Sequence, residues 1–416
     1  MPWRCHNAAA LETDWRGAPG SGTNPRTMDE RKVKVSRKGA ERLRGGHLWI
    51  YRSDVEQAPA ELASGDVVAL VDGRGRFLAK AFWSSRSQIA LRVVTLEEEP
   101  VDEGFFAARL SRALELRARA FGDEPFVRLV HGEGDLLPGL VVDRYGPVAV
   151  LQTLVPAMER RKAFLAELLA GALPLAAVVE RNDVRVRELE GLAQVKGVLR
   201  GEVPAGLELR EGEVRMALDV LGGQKTGAFL DQRENHLRAG DYAAGKCLDC
   251  FSYAGGFALQ LARRAEEVTA VEMQPVAAAL LRENAARNRA ANLSVVEANA
   301  FDYLRDRAEE PPAFDLVVLD PPAFAKNRDA IPAARRGYKE INLRAMQVLK
   351  PGGVLVTSSC SYHLGEAMLE ELVLDAAMDA GRRVQVLERR GAGRDHPVLL
   401  GVPETRYLKC MFLRIL

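Results

Sequence analysis

From about residue 216 onward the chain alternates short apolar runs with segments of helical spacing, and this alternation restricts the fold more than any other feature. Strand and helix in turn are the mark of a parallel sheet joined by crossover helices. Strands are predicted at 246–251, 268–272, 294–297, 315–319 and 353–358, and helices at 255–266, 275–289, 301–308 and 335–349. The closing segments RRVQVLERR and RYLKCMFLRIL read as two further strands, an antiparallel pair at one edge. In an open sheet of this kind ligands bind outside the carboxyl ends of the strands. Side chains at those ends are therefore the first candidates for chemistry.

The first strand runs through Asp249 to Phe251 and is followed by Ser252, Tyr253, Ala254, Gly255 and Gly256 before a helix begins. Small residues here let the backbone approach a ligand and let a helix N-terminus face it. The G-x-G-x-x-G fingerprint is absent, so no pyrophosphate clamp is indicated. Glu272 ends the next strand, where a carboxylate can accept both hydroxyls of a ribose. Asn299 ends the third, where a side-chain amide can read an adenine edge. A ligand with ribose and adenine but no pyrophosphate points to S-adenosylmethionine.

The fourth strand ends in Asp320, Pro321 and Pro322, and the fifth in Cys360. The prolines stiffen the turn and leave carbonyls free, since neither has an N–H. Such a frame can hold the edge of a planar base, with Phe324 stacking on its face. An exocyclic amine could attack a methyl donor directly, whereas carbon 5 of a pyrimidine needs a thiolate to add first at carbon 6. Cys360 is the natural nucleophile for that addition, and Asp320 can engage ring nitrogen 3 and the amino group, favouring cytosine. His363 is near enough in sequence to influence the thiol, although so short a spacing is more often incidental.

The N-terminal half differs in pattern. Residues 31–97 carry short alternating runs with Gly turns, the signature of a small β-rich domain. A helix is predicted over 105–120, then strand, turn, strand, turn, strand through FVRLVHGEGDLLPGLVVDRYGPVAVLQTL, a helix over 157–170 and a strand at AAVVERND. This makes an α+β unit over 101–215. The first 27 residues lack an apolar h-region, so a disordered tail over 1–28, or an extension before a true start at Met28, is expected.

The hydrophobic share of 47% and charged share of 28% fit a soluble globular protein, and no apolar run reaches the ~20 residues of a membrane helix. Five cysteines without an export signal argue for a cytoplasmic protein. Cys247 and Cys250 form a C-x-x-C, but strand alternation sends them to opposite faces and no second pair completes a metal site. Between Arg31 and Arg52 eight Lys or Arg residues, Arg37, Lys38 and Arg44 among them, face one acid, Glu41. Such a strip can neutralise phosphates.

With these residues in view, the chain resembles the bacterial large-subunit ribosomal RNA cytosine-5 methyltransferases that carry an N-terminal PUA domain. The matching passages include KGAERLRGGHLWIY, GEGDLLPGLVVDRYG, GGQKTGAFLDQREN, LDCFSYAGGFAL, FDLVVLDPPAFAK, RGYKEINLRAM, SSCSYH, DHPV and YLKCMFLRIL. The resemblance implies an α/β architecture with a class I, Rossmann-like methyltransferase domain over 216–416. A PUA RNA-binding domain over 29–97 and a middle α+β domain over 101–215 would precede it. It implies Cys360 as nucleophile, Asp320 as base-binding acid, and 23S ribosomal RNA or a large-subunit assembly intermediate as partner, with no membrane and a homodimer left open. The stretch Lys225, Thr226, Gly227, Phe229, Asp231, Gln232 and Arg233 matches a segment bordering the cofactor pocket in such enzymes. Asn299 stands where they carry Asp; its oxygen can still accept a hydrogen bond. Two other functions are compatible with the same fold: guanine methylation without a thiol, and a non-catalytic ribosome-assembly factor that binds RNA.

Overall fold

A computed structural model describes residues 31–325 and 328–416. The expected tail at 1–28 lies outside the described residues. The chain divides into two compact units, and it passes between them more than once. The first holds residues up to Ala205, Asp219–Ala228 and Arg394–Thr405; the second holds Gly206–Leu218, Phe229–Gly393 and Arg406–Leu416.

The first unit contains two sheets. One is built from β1 (Lys32–Val35), β2 (Trp49–Tyr51), β3 (Val55–Gln57), β4 (Val67–Val71), β5 (Phe77–Trp83) and β6 (Ile89–Thr95), in the order β2-β6-β5-β4-β1-β3. Every neighbouring pair is antiparallel except β1 with β4. A helix not foreseen from the alternation, α1 (Arg37–Arg44), is capped by Ser36, whose hydroxyl accepts from the Gly39 N–H. It buries Ala40 and Leu43 and leaves its charged face outward. The second sheet follows α2 (Glu103–Phe121) and comprises β7 (Phe126–His131), β8 (Leu140–Tyr145), β9 (Val148–Thr153), β10 (Ala177–Asn182) and β11 (Val195–Gly201), with α3 (Lys162–Ala172) between β9 and β10. Its order is β11-β10-β9-β8-β7.

In the second unit a short hairpin, β12 (Glu208–Glu211) and β13 (Val214–Ala217), precedes a seven-stranded sheet. The strands are β14 (Lys246–Cys250), β15 (Glu267–Glu272), β16 (Leu293–Glu297), β17 (Phe314–Leu319), β18 (Leu349–Ser359), β19 (Val384–Arg390) and β20 (Lys409–Ile415). Their order is β16-β15-β14-β17-β18-β20-β19: five parallel strands, then β20 antiparallel to β18 and paired with β19. The helices are α4 (Arg233–Tyr242), α5 (Gly256–Ala262), α6 (Pro275–Arg287), α7 (Ala300–Arg307), α8 (Ile331–Val348) and α9 (Glu366–Asp379).

Two apolar clusters cover this sheet's faces. Cys250, Leu319 and Leu355 point to the one with Tyr338, Ile341 and Leu369; Cys247, Val318 and Val356 point to the other with Phe257, Leu281 and Phe412. Burial on both sides is why these strands read as continuous apolar runs. The C-x-x-C is thereby split between two cores, and among the described residues no His, Cys, Asp and Glu group could hold a metal. No helix among the described residues is long and apolar enough to cross a membrane.

Candidate active site

All five parallel strands run in one direction, so their carboxyl ends lie together; Phe251, Glu272, Asn299, Asp320 and Cys360 close or closely follow them. The turn after β14 is sharply wound: Phe251, Tyr253 and Gly255 have φ of +65°, +48° and +96°. Only Gly adopts such values without strain, and two bulky residues doing so mark an over-determined turn. The Ser252 hydroxyl donates to the Asp249 carbonyl at 2.7 Å, and the Ala254 carbonyl accepts from Asn284 Nδ2.

The two glycines serve packing more than ligand approach. A Cβ on Gly256 would meet the His236 ring at 2.4 Å, and one on Gly255 would press on Leu281 and Leu259. His236 is buried and paired with Glu211 through Nδ1 at 2.8 Å. Burial disfavours its charged form, but the Glu211 carboxylate overrides this and raises its pKa.

Glu272 closes β15 with 9% exposure, and both carboxylate oxygens are fixed by backbone donors: Tyr253 N at 2.8 Å and Gln274 N at 2.7 Å. Each oxygen retains a lone pair for a ribose hydroxyl. Asp249 Oδ2 accepts from Ala258 N at 3.0 Å, while its Oδ1 is buried with no hydrogen-bond partner among the described residues. Burial, with the Asp320 charge adding, pushes this carboxyl up to about 7. A carboxylate fixed at a strand end and a buried acceptor awaiting a donor fit a ligand with vicinal hydroxyls and a cationic end.

Asn299 is exposed and caps α7: its Oδ1 accepts from Phe301 N, and its Nδ2 reaches the Met273 sulfur at 3.8 Å. Phe229 packs edge-on against Tyr253 at 5.3 Å between centroids. Arg233 is buried at the start of α4. Gln232 Nε2 donates to Asp320 Oδ1 at 2.8 Å, and its Oε1 accepts from Asn235, which Arg390 holds in turn. Lys225, Thr226 and Gly227 belong to the first unit, where the Thr226 hydroxyl bonds Asp143 and Tyr145.

Asp320 and Cys360 follow β17 and β18, which are adjacent and parallel. Both are partly exposed. Ser359 and Ser361, on either side of Cys360, are fully buried and hydrogen-bonded within the fold. Ser359 Oγ donates to the Tyr338 hydroxyl at 2.9 Å, Tyr338 bonds Ser361 Oγ at 3.1 Å, and Ser361 Oγ accepts from Ala325 N. Burial raises the Tyr338 hydroxyl pKa, with the charges of Cys360 and Asp320 adding to it. Pro321 is buried and Pro322 exposed. Phe324 is half-buried, its ring tilted against Phe301 and Tyr338. The His363 ring packs on Tyr362.

Sequence reasoning passed over Tyr338 and Lys409. An aromatic on the inward stripe of α8 reads as core, which it also is. The only signal for Lys409 was a cation set between buried Leu408 and Cys410 in an apolar strand.

Strand order and connectivity define a class I, Rossmann-like methyltransferase fold, preceded by a β-rich PUA-like domain and an α+β domain. The PUA-like domain family matches residues 33–96, and a family described as conserved hypothetical protein 95 matches 234–382. A Streptococcus mutans protein described as a SAM-dependent methyltransferase shares the fold, with a TM-score of 0.77 at 19% identity over 92% of this chain and 100% of its own. The ribosomal RNA large subunit methyltransferase I of Shewanella amazonensis is 39% identical over 392 residues, covering 92% of this chain and 99% of that protein. That of Tolumonas auensis is 40% identical over 381 residues, covering 88% and 95%. The chain belongs to the ribosomal RNA large subunit methyltransferase I family.

Proposed function

We propose that this protein methylates carbon 5 of a cytosine in 23S ribosomal RNA, with S-adenosylmethionine as donor and Cys360 as covalent nucleophile. The observation that carries this reading is the pair Asp320 and Cys360, which directly follow neighbouring parallel strands. The names of the relatives and the PUA-like match support an RNA substrate.

Bound S-adenosylmethionine would supply an electrophilic methyl group, its sulfonium sulfur keeping the electron pair of the broken bond and leaving as a neutral thioether. Glu272 would hold its ribose, Asn299 its adenine, and the turn Asp249 to Gly256 its remaining length, bordered by Phe229, Gln232 and Arg233. The Cys360 thiolate adds to carbon 6 of the flipped-out base, and the electron pair of the 5,6 double bond moves to carbon 5. Once carbon 5 carries the methyl group, a base removes its proton, the double bond re-forms and the thiolate leaves. Asp320, kept in place by Gln232, engages ring nitrogen 3 and the amino group, with Pro321, Pro322 and Phe324 framing the base. Arg37, Lys38 and Arg44 would contact RNA phosphates.

RNA containing 5-fluorocytosine tests this directly. Fluorine cannot leave as a proton does, so a covalent complex stable to denaturation should accumulate with the wild type and be absent with Cys360→Ala. Equal trapping by Cys360→Ala would name another nucleophile. Methylation surviving in Cys360→Ala would favour guanine as the target, and no methyl transfer to any unmodified RNA would favour a binding factor.

A further inference from the structure

We propose that Lys409 is a positioning residue for the Cys360 thiol, its buried ammonium, fixed on the carbonyl of the adjacent Ser361, favouring the thiolate. This inference rests on, and deepens, the reading of Cys360 as nucleophile.

Lys409 opens β20 and is paired across the ladder with Ser359. Its side chain is buried, with the residue 5% exposed. The Nζ donates to the Ser361 carbonyl at 2.7 Å and to the Tyr407 carbonyl at 2.9 Å. Main-chain pairing and ammonium thus grip the backbone one residue to either side of Cys360. A buried lysine is rare without a carboxylate partner, and Lys409 forms no ion pair among the described residues. The anionic groups it senses are Cys360 and Glu366, and Glu366 is already paired with Arg406 at 2.6 Å. The sulfur is then the anion left for this cation to serve.

Other described groups at this end of the sheet have other tasks. Tyr338, from α8, is neutral and engaged with the two serines. Asp320, after β17, is a like charge that opposes a thiolate and accepts from Gln232. His363 packs on Tyr362. Among the described residues Arg406 is a further cation near this strand end, but it is exposed and paired with Glu366. Burial pushes the Lys409 ammonium down to about 8, with the Cys360 charge pulling it back up. That coupling is reciprocal: a cation stabilised by the thiolate stabilises the thiolate in equal measure. In forming the nucleophile the sulfur gives its proton to solvent and Lys409 keeps its own.

The test is site-resolved alkylation of the full chain by iodoacetamide across pH 6 to 10, followed by mass spectrometry of the Cys360 peptide. A free thiol titrates near ~8.5. The wild-type midpoint should lie below that, and Lys409→Met should raise it by about one unit, roughly tenfold slower alkylation at pH 7. Lys409→Arg should restore the low midpoint. An unshifted profile in a Lys409→Met protein that melts cooperatively overturns the proposal. Should Lys409→Met not fold, the reciprocal measurement decides: the Lys409 amino group, followed by NMR, should titrate lower in Cys360→Ser than in the wild type. Equal values there overturn it as well. Neither readout involves RNA, so failure here is separable from failure of the nucleophile reading, which Cys360→Ala tests alone.

Discussion

At the scale of single residues, the carboxylate that would face the base is not left to orient itself. Gln232 donates to Asp320 Oδ1, Asn235 donates to Gln232, and Arg390 donates to Asn235, so one acceptor's direction is set by three side chains in series. A hydrogen bond to an ionised group is worth about 1.5–3 kcal/mol. Gln232→Leu should therefore lower kcat/KM by roughly tenfold to a hundredfold on an RNA fragment. Gln232→Glu should be worse, because a second carboxylate would face the first. If both variants retained wild-type kcat/KM, Asp320 would need no such support. The strand-end acids and the thiol were legible in the sequence because each closes an apolar run. The Asp320–Gln232 pair was not, since its members are far apart in the chain and only the packed turn before α4 joins them. Lys409 was hidden for a related reason: its partners are main-chain carbonyls, which no side-chain motif announces.

At the scale of elements, the turn from β14 into α5 carries a titration that couples ligand site and stability. Asp249 has its carboxyl raised from the ordinary value to about 7 by burial and the neighbouring Asp320 charge. Between pH ~4 and ~7 the native state therefore holds a proton that the unfolded chain has released. Stability tied to Asp249 is complete below that window and is lost as pH rises through it, with a slope of up to ~1.4 kcal/mol per pH unit. Asp249→Asn removes the group, so its melting temperature should vary less between pH 4 and 7 than that of the wild type. Parallel curves would mean that the carboxyl ionises freely in the fold. The next residue pair gives a steric counterpart: Gly256→Ala forces a Cβ against the His236 ring and should cost about 1–3 kcal/mol in denaturant unfolding. The five parallel strands were readable because both faces are buried. The half-exposed β11 was not, with its alternating burial and interior glycine. Helix α9 escaped as well, although Leu369, Leu372, Val373, Ala376 and Ala377 recur on one stripe. Its stripe is rich in alanine and follows directly on the SSCSYH motif.

At the scale of the whole molecule, charge is what the linear sequence described least well. The strip from Arg31 to Arg52 contains one acid in sequence, but folding brings others to it from residues 54–72. Arg31 meets Asp66, Lys34 meets Glu56, and Arg42 pairs with Asp54. Arg44 approaches Asp72, which Arg76 holds down at about 2. A good part of the positive charge is thus spent within the domain, and a simple count of basic residues overstates the field available to RNA. What remains is local to α1. Arg37 has a 92% exposed side chain and only a surface pair with Glu41, Lys38 forms no ion pair among the described residues, and Arg44 is half exposed at 3.9 Å from its acid. Exposed pairs of this kind are weak, so all three side chains can exchange carboxylate or water for phosphate. Each phosphate neutralised on a single strand contributes ~0.7 to the slope of log affinity against log salt. Reversing the charge at Arg37, Lys38 and Arg44 together should therefore flatten that slope by about 2 and weaken binding most at low salt, while melting changes little. The measurement is fluorescence anisotropy of a ribosomal RNA fragment titrated at several salt concentrations. A slope equal to that of the wild type would remove α1 from the RNA interface, and the remaining candidates would be basic residues that folding leaves unspent elsewhere.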